Sequence, residues 1–172
     1  MKTYDVVLFT GSCETLVGKS FGVYRLASHL RNFGYDVKTI NHFQHFSDKQ
    51  FQDCIDKFIS EKTKIVGFGC TTIRSYQTGD FFGITDEEMK LRIDYIRNKG
   101  DIKIVLGGGQ VNYTAKNLYY KFNDFDYVSF GQGENTFLAI CNHIIKGEKL
   151  ITNTIQKPYH VTDKTHPFND FH

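Results

Sequence analysis

Short apolar runs alternate along this chain with longer stretches in which apolar residues recur every three or four positions. The runs are Asp5–Thr10 (DVVLFT), Asp36–Ile40 (DVKTI), Lys64–Gly69 (KIVGFG), Ile102–Leu106 within DIKIVLGGGQ, and Asp126–Phe130. Each is too short for a helix, and the most uniformly apolar ones read as strands buried on both faces, whereas DVKTI alternates as an edge strand does. The periodic stretches predict helices. Their stripes are Val23, Leu26, Ala27, Leu30 and Phe33; Phe51, Cys54, Ile55, Phe58 and Ile59; Met89, Ile93 and Ile96; Ala115, Leu118, Tyr119 and Phe122; and Phe137, Ile140, Cys141 and Ile144. Ser47 with Gln50 and Thr85 with Glu88 have the spacing of capping boxes, and Gly34 stands where a helix C-cap belongs.

Strict alternation of strand and helix implies a parallel sheet covered on both faces. The first, third and fourth runs are the most apolar, which matches a flavodoxin-like (Rossmann-like) α/β fold, doubly wound, with five parallel strands in the order 2-1-3-4-5. In that order ligands bind beyond the carboxyl ends of the strands, where the first and third flank the point at which the winding reverses. Contacts are therefore expected from the loop Gly11–Ser20, from Cys70 onward, and from the triple glycine Gly107, Gly108 and Gly109, read as a turn bare of side chains. The loop from Cys70 to about Ile84 is longer than most connections of its type. Beyond Gly147 the periodicity fades. Residues 1–147 thus read as the domain, and 148–172, with Pro158 and Pro167, as an extended arm or linker.

Composition narrows the function. A chain of 172 residues with net charge +2 and scattered Lys and Arg has no dedicated nucleic-acid surface, and no apolar stretch reaches the roughly 18 residues of a membrane span, so a cytoplasmic location is expected. Cys13, Cys54, Cys70 and Cys141 are far apart in sequence, without CxxC pairing, which reads as free thiols and not as an iron–sulfur ligand set. Gly18-Lys19-Ser20 looks like the end of a P-loop, but Cys13 stands where its first glycine is required and no strand ends in an acidic residue for magnesium. Gly131-Gln132-Gly133 begins like a dinucleotide fingerprint but has Thr136 in place of the third glycine. His42 and His45 follow an edge strand without a carboxylate partner and read as loop histidines; His160, His166 and His172 lie in the tail. No nucleophilic triad is recognisable. The residues support a binding module over a self-contained catalyst.

Several motifs, taken together, carry a resemblance. Gly22-Val23-Tyr24-Arg25-Leu26-Ala27, then Leu30-Arg31 and Gly34-Tyr35-Asp36-Val37, resembles the opening of the cobalamin-binding domains that precede the catalytic domain in many radical-SAM enzymes. The stretch from Val66 to Thr72 is similar to their third strand and its turn, Lys103 to Gly109 to their fourth, and Asp126 to Glu134 to their fifth. The tail Thr165 to Phe171 resembles their connector into the catalytic barrel, and the chain ends where the SAM-cleaving domain should begin. The resemblance implies a module for cobalamin, part of a radical-SAM methyltransferase-like system or a partner to a separate radical-SAM domain or subunit, with no iron–sulfur cluster and no catalytic residue of its own. It assigns cofactor-binding roles to Gly11, Ser12, Thr71, Thr72, Gly107, Gly108, Gly109, Gly131, Gln132 and Gly133. A nucleotide tail with its phosphodiester would descend among these glycine loops.

The loop Gly11–Gly18 has neither Asp nor His, so the DxHxxG motif that supplies a cobalt-ligating imidazole is missing, and no protein metal ligand is expected. Replacing Gly108 with Val is expected to remove binding while leaving the fold largely intact. Two alternatives stand beside this reading: a cofactor-free interaction or regulatory domain of the same fold, and a binder of FMN or a nucleotide phosphate in the same crevice.

Overall fold

A computed structural model describes residues 2–11, 21–69, 85–108, 124–130, 133–150 and 159–162. Strands β1 (Val6–Thr10), β2 (Val37–Asn41), β3 (Ile65–Gly69), β4 (Lys103–Gly107), β5 (Tyr127–Phe130) and β6 (Tyr159–Thr162) form one sheet in the order β2-β1-β3-β4-β5-β6. All pairs are parallel. The first five strands have the expected order. The sixth pairs Tyr159 with Tyr127 and Thr162 with Phe130, within the segment read from sequence as an extended arm. A four-residue strand on the outer edge carries almost no periodic signal, because its stability comes from a partner distant in sequence.

Four helices occur among the described residues: α1 (Phe21–Asn32), α2 (Asp48–Phe58), α3 (Asp86–Arg97) and α4 (Gly133–Lys146). The expected helix over Ala115, Leu118, Tyr119 and Phe122 lies outside the described residues. Both capping boxes are present: the Ser47 and Thr85 hydroxyls accept from the backbone N–H of Gln50 and Glu88, whose side chains accept in return from the cap N–H groups. Gly34 adopts φ +89°, a left-handed conformation suited to the end of α1. The helix stops at Asn32, so Phe33 leaves the apolar stripe in which spacing places it and is 51% exposed.

Successive strand residues point to opposite faces, and the core divides accordingly. Val7, Phe9, Val66, Phe68, Ile104, Leu106 and Val128 pack with Phe51 and Ile55 of α2 and Met89, Ile93 and Ile96 of α3. On that side the Phe9 ring lies 5.2 Å from Phe68 and 5.6 Å from Phe43, between centroids. Arg92 of α3 is buried there; it donates to the carbonyl oxygens of Phe43 and Phe46, each at 2.8 Å, and so ties α3 to the turn after β2. Val6, Leu8, Ile65, Val105 and Tyr127 face the other way, against Ala27 and Leu30 of α1 and Phe137, Ile140 and Cys141 of α4. Burial pushes the Cys141 thiol far above its usual range, as an inert core cysteine requires.

Candidate functional site

The parallel arrangement brings the carboxyl ends of β1, β3, β4 and β5 to one edge, where α1 and α4 begin. Register decides what lies there. Val6 pairs with Ile65, Gly69 with Gly107, and Leu106 with Val128, which places Thr10, Gly69, Gly107 and Ser129 in one row across four strands on the α1/α4 face. Two distances confirm the row: a Cβ built on Gly69 would lie 3.5 Å from Thr10 Oγ1, and one built on Gly107 would lie 3.6 Å from Ser129 Cβ. Large side chains fill the same face one step further into the sheet, at Leu8 and Val105. At the edge they stop.

This row is the floor of a cleft of about 290 Å³. Gly22, Val23 and Leu26 of α1 line it from one side and Gly133, Glu134 and Phe137 of α4 from the other, with Gly67 deeper and Gly108 at the rim. Gly67 has a packing role, since its missing side chain lets the Phe137 ring and Leu8 come within 3.0 and 2.8 Å of where a Cβ would be. Gly69 and Gly107 instead leave space. The floor carries no charge and its hydroxyls are already engaged: Thr10 Oγ1 donates to the carbonyl of Gly11 at 3.3 Å, and the Ser129 and Thr136 hydroxyls hydrogen-bond each other at 2.5 Å. Charge is confined to the mouth, where Arg25 Nε of α1 meets Glu134 Oε1 of α4 at 2.6 Å. Such a cleft suits a flat, neutral group below and polar substituents above.

Of the residues the sequence singled out, Gly107, Gly108 and Gly133 line the cleft; Gly11 is buried beside it as the acceptor for Thr10. Ser12, Thr71, Thr72, Gly109, Gly131 and Gln132 lie outside the described residues. Gly107 belongs to β4 and not to a turn, because its pairing with Gly69 extends the strand by one residue. Gly108 has φ +113°, so a valine there would strain the backbone, and Gly108→Val would cost some stability as well as fill the rim of the cleft. Sequence reasoning did not select Thr10, Gly69, Ser129, Arg25 or Glu134, although the small residues ending strand after strand were the available signal. His42, with φ 58°, precedes a short 3-10 turn after the edge strand β2 and His45 ends it, with ring centroids 6.5 Å apart, and neither lines the cleft. Among the described residues no group of three His, Cys, Asp or Glu side chains could hold a metal ion. No helix among them is long and apolar enough to cross a membrane.

The family model for the B12 binding domain matches residues 9–141, the span that contains every lining residue of the cleft except Leu8. The chain belongs to the B12-binding domain family. Two solved structures of a radical S-adenosylmethionine methyltransferase, TsrM from Kitasatospora setae, are similar in fold to this B12-binding domain. One, with tryptophan substrate and the SAM analogue aza-SAM bound, has 16% identity and a TM-score of 0.64 over 95% of this chain and 31% of that one. The other, with cobalamin and a 4Fe-4S cluster bound, has 20% identity and a TM-score of 0.62 over 86% of this chain and 27% of that one. The chain thus spans less than a third of the length of these structures. No curated protein matches.

Cobalamin, the ligand of the family, fits the cleft on the structure's own terms. A corrin is far too large for 290 Å³, whereas its nucleotide tail, an arm ending in a flat heterocycle, is the part that the cleft would hold. The row Thr10, Gly69, Gly107, Ser129 is a cradle that side chains at the two glycines would fill.

Proposed function

We propose that this B12-binding domain holds cobalamin for a radical-SAM methyltransferase-like system, with the nucleotide tail in the cleft between α1 and α4 and the corrin across the ends of β1, β3 and β4. The observation that carries the reading is the unbroken row of small residues across four strands, on a face otherwise packed with large apolar side chains. Gly69 and Gly107 would give the heterocycle room, Thr10 and Ser129 would meet it edgewise, and Gly11, Gly108 and Gly133 would allow backbone to approach the tail, together with Ser12, Thr71, Thr72, Gly109, Gly131 and Gln132. When bound, the cofactor supplies a cobalt centre able to accept and release a methyl group. The residues of this chain bind and orient; a radical-SAM domain or subunit would supply S-adenosylmethionine cleavage, and the assembly would work in the cytoplasm. No histidine of the chain is assigned to cobalt.

The test is an absorption spectrum after incubation with hydroxocobalamin, or in parallel with FMN, followed by desalting. Near-stoichiometric corrin and no flavin is expected. Retained flavin alone would move the assignment to a flavin-nucleotide binder, and retention of neither at tens of micromolar would favour a cofactor-free interaction domain.

A further inference from the structure

Among the ion pairs of the described residues, Arg25–Glu134 stands apart. Asp5, Asp36 and Lys62 form a network with Lys62 Nζ 3.4 Å from Asp5 and 2.5 Å from Asp36, and Asp101 pairs with Lys103 and Asp126 with Arg97; these all lie at the amino ends of the strands. Lys49–Asp53 lies along α2, and Lys99 reaches Asp56 on the far face of the sheet. Of the pairs among the described residues only Arg25–Glu134 lies at the cleft, and it joins the two helices that line it. Its members line the same hollow as the glycine row, one turn into α1 and in the first turn of α4. Leu26 Cδ2 lies 4.0 Å from where a Cβ on Gly133 would be, so α1 and α4 approach each other closely at this end of the sheet.

The pair adds little to the fold. The Arg25 side chain is 72% exposed and that of Glu134 19%, and exposed ion pairs contribute little to stability. Glu134 is already favoured at the amino end of α4 by the helix dipole, so it does not need the arginine for its own placement. What the pair does is join α1 to α4 at the cleft that both helices line. A tail lying along the glycine row would have α1 on one side and α4 on the other, the two helices that Arg25–Glu134 links.

We propose that Arg25 and Glu134 form a clasp that holds α1 and α4 together over the cobalamin tail and slows its release. The proposal rests on the reading of the cleft as the tail site. Both are positioning residues, because they act on the helices and not on the reacting atoms. A salt-screened bond of this kind predicts a specific kinetic signature.

The test measures cobalamin dissociation by exchange against a spectrally distinct corrin, for the parent chain, for Arg25→Ala, for Glu134→Gln, and for the reversal Arg25→Glu with Glu134→Arg. Each single change is expected to speed release by roughly two- to fivefold, the range that an exposed ion pair supports. The reversal is expected to return the rate towards the parent value, and raising ionic strength is expected to speed release from the parent but not from the single variants. Thermal denaturation within about 2 °C of the parent for each single variant is expected, because the Arg25 arm of the pair lies in solvent, and shows that the fold is unchanged. Single variants that release corrin at the parent rate would overturn the clasp and leave the site standing. A parent chain that retains no corrin would overturn the site and the clasp with it.

Discussion

Gly69→Val is expected to weaken cobalamin binding sharply while leaving the domain folded. Gly69 closes β3 with its missing side chain directed into the cleft, and the nearest atoms to an added Cβ are Thr10 Oγ1 at 3.5 Å and the Phe9 carbonyl at 3.7 Å, ordinary contact distances. A β-branched residue suits a strand, so the sheet tolerates it. Its methyl groups, however, would occupy the floor that the tail must cover. A loss of binding of more than about tenfold is expected, equivalent to roughly 1.4 kcal/mol, with a melting temperature close to that of the parent. Corrin titration paired with thermal denaturation reads both. A variant that binds as the parent does would show that the tail does not cross Gly69.

Two residues back on the same strand and the same face, the same substitution is expected to do the opposite. At Gly67 an added Cβ would stand 2.8 Å from Leu8 Cδ2 and 3.0 Å from the Phe137 ring, and both side chains are buried, with little room to move. Gly67→Val should push α4 off the sheet. Overpacking of this kind typically costs about 1–3 kcal/mol, which for a chain of this size lowers the melting temperature by roughly 2–12 °C. Chemical denaturation provides the free energy directly. A neutral outcome would mean that Phe137 can turn aside and that Gly67 belongs functionally with Gly69.

The contrast between these glycines also shows what a sequence read alone can and cannot deliver. Apolar runs such as DVVLFT and KIVGFG declare buried strands because no other short element buries every residue, and the order 2-1-3-4-5 follows from which runs are apolar throughout. Ser47 with Gln50 and Thr85 with Glu88 were legible because a capping box is local. The floor of the cleft was not, since Thr10, Gly69, Gly107 and Ser129 become neighbours only once four strands are paired in register. The triple glycine drew attention to the right place but for only part of the reason: Gly107 acts as a strand residue whose absent side chain makes space, while Gly108 serves the backbone through its positive φ. Strand β6 escaped notice because an edge strand of four residues depends on long-range pairing with β5. The Arg25–Glu134 pair was equally hidden, with each member looking like an ordinary surface charge on its own helix.

The central claim is that the cleft between α1 and α4 takes the nucleotide tail, and cobinamide, a corrin lacking that tail, tests it most directly. Side-by-side titration of the chain with cobalamin and cobinamide isolates what the tail adds, since the corrin is common to both. The account predicts that cobalamin binds more than about tenfold tighter, the factor that corresponds to roughly 1.4 kcal/mol placed in the cleft, and that the advantage disappears in Gly69→Val. Equal affinity for the two corrins in the parent chain would contradict it.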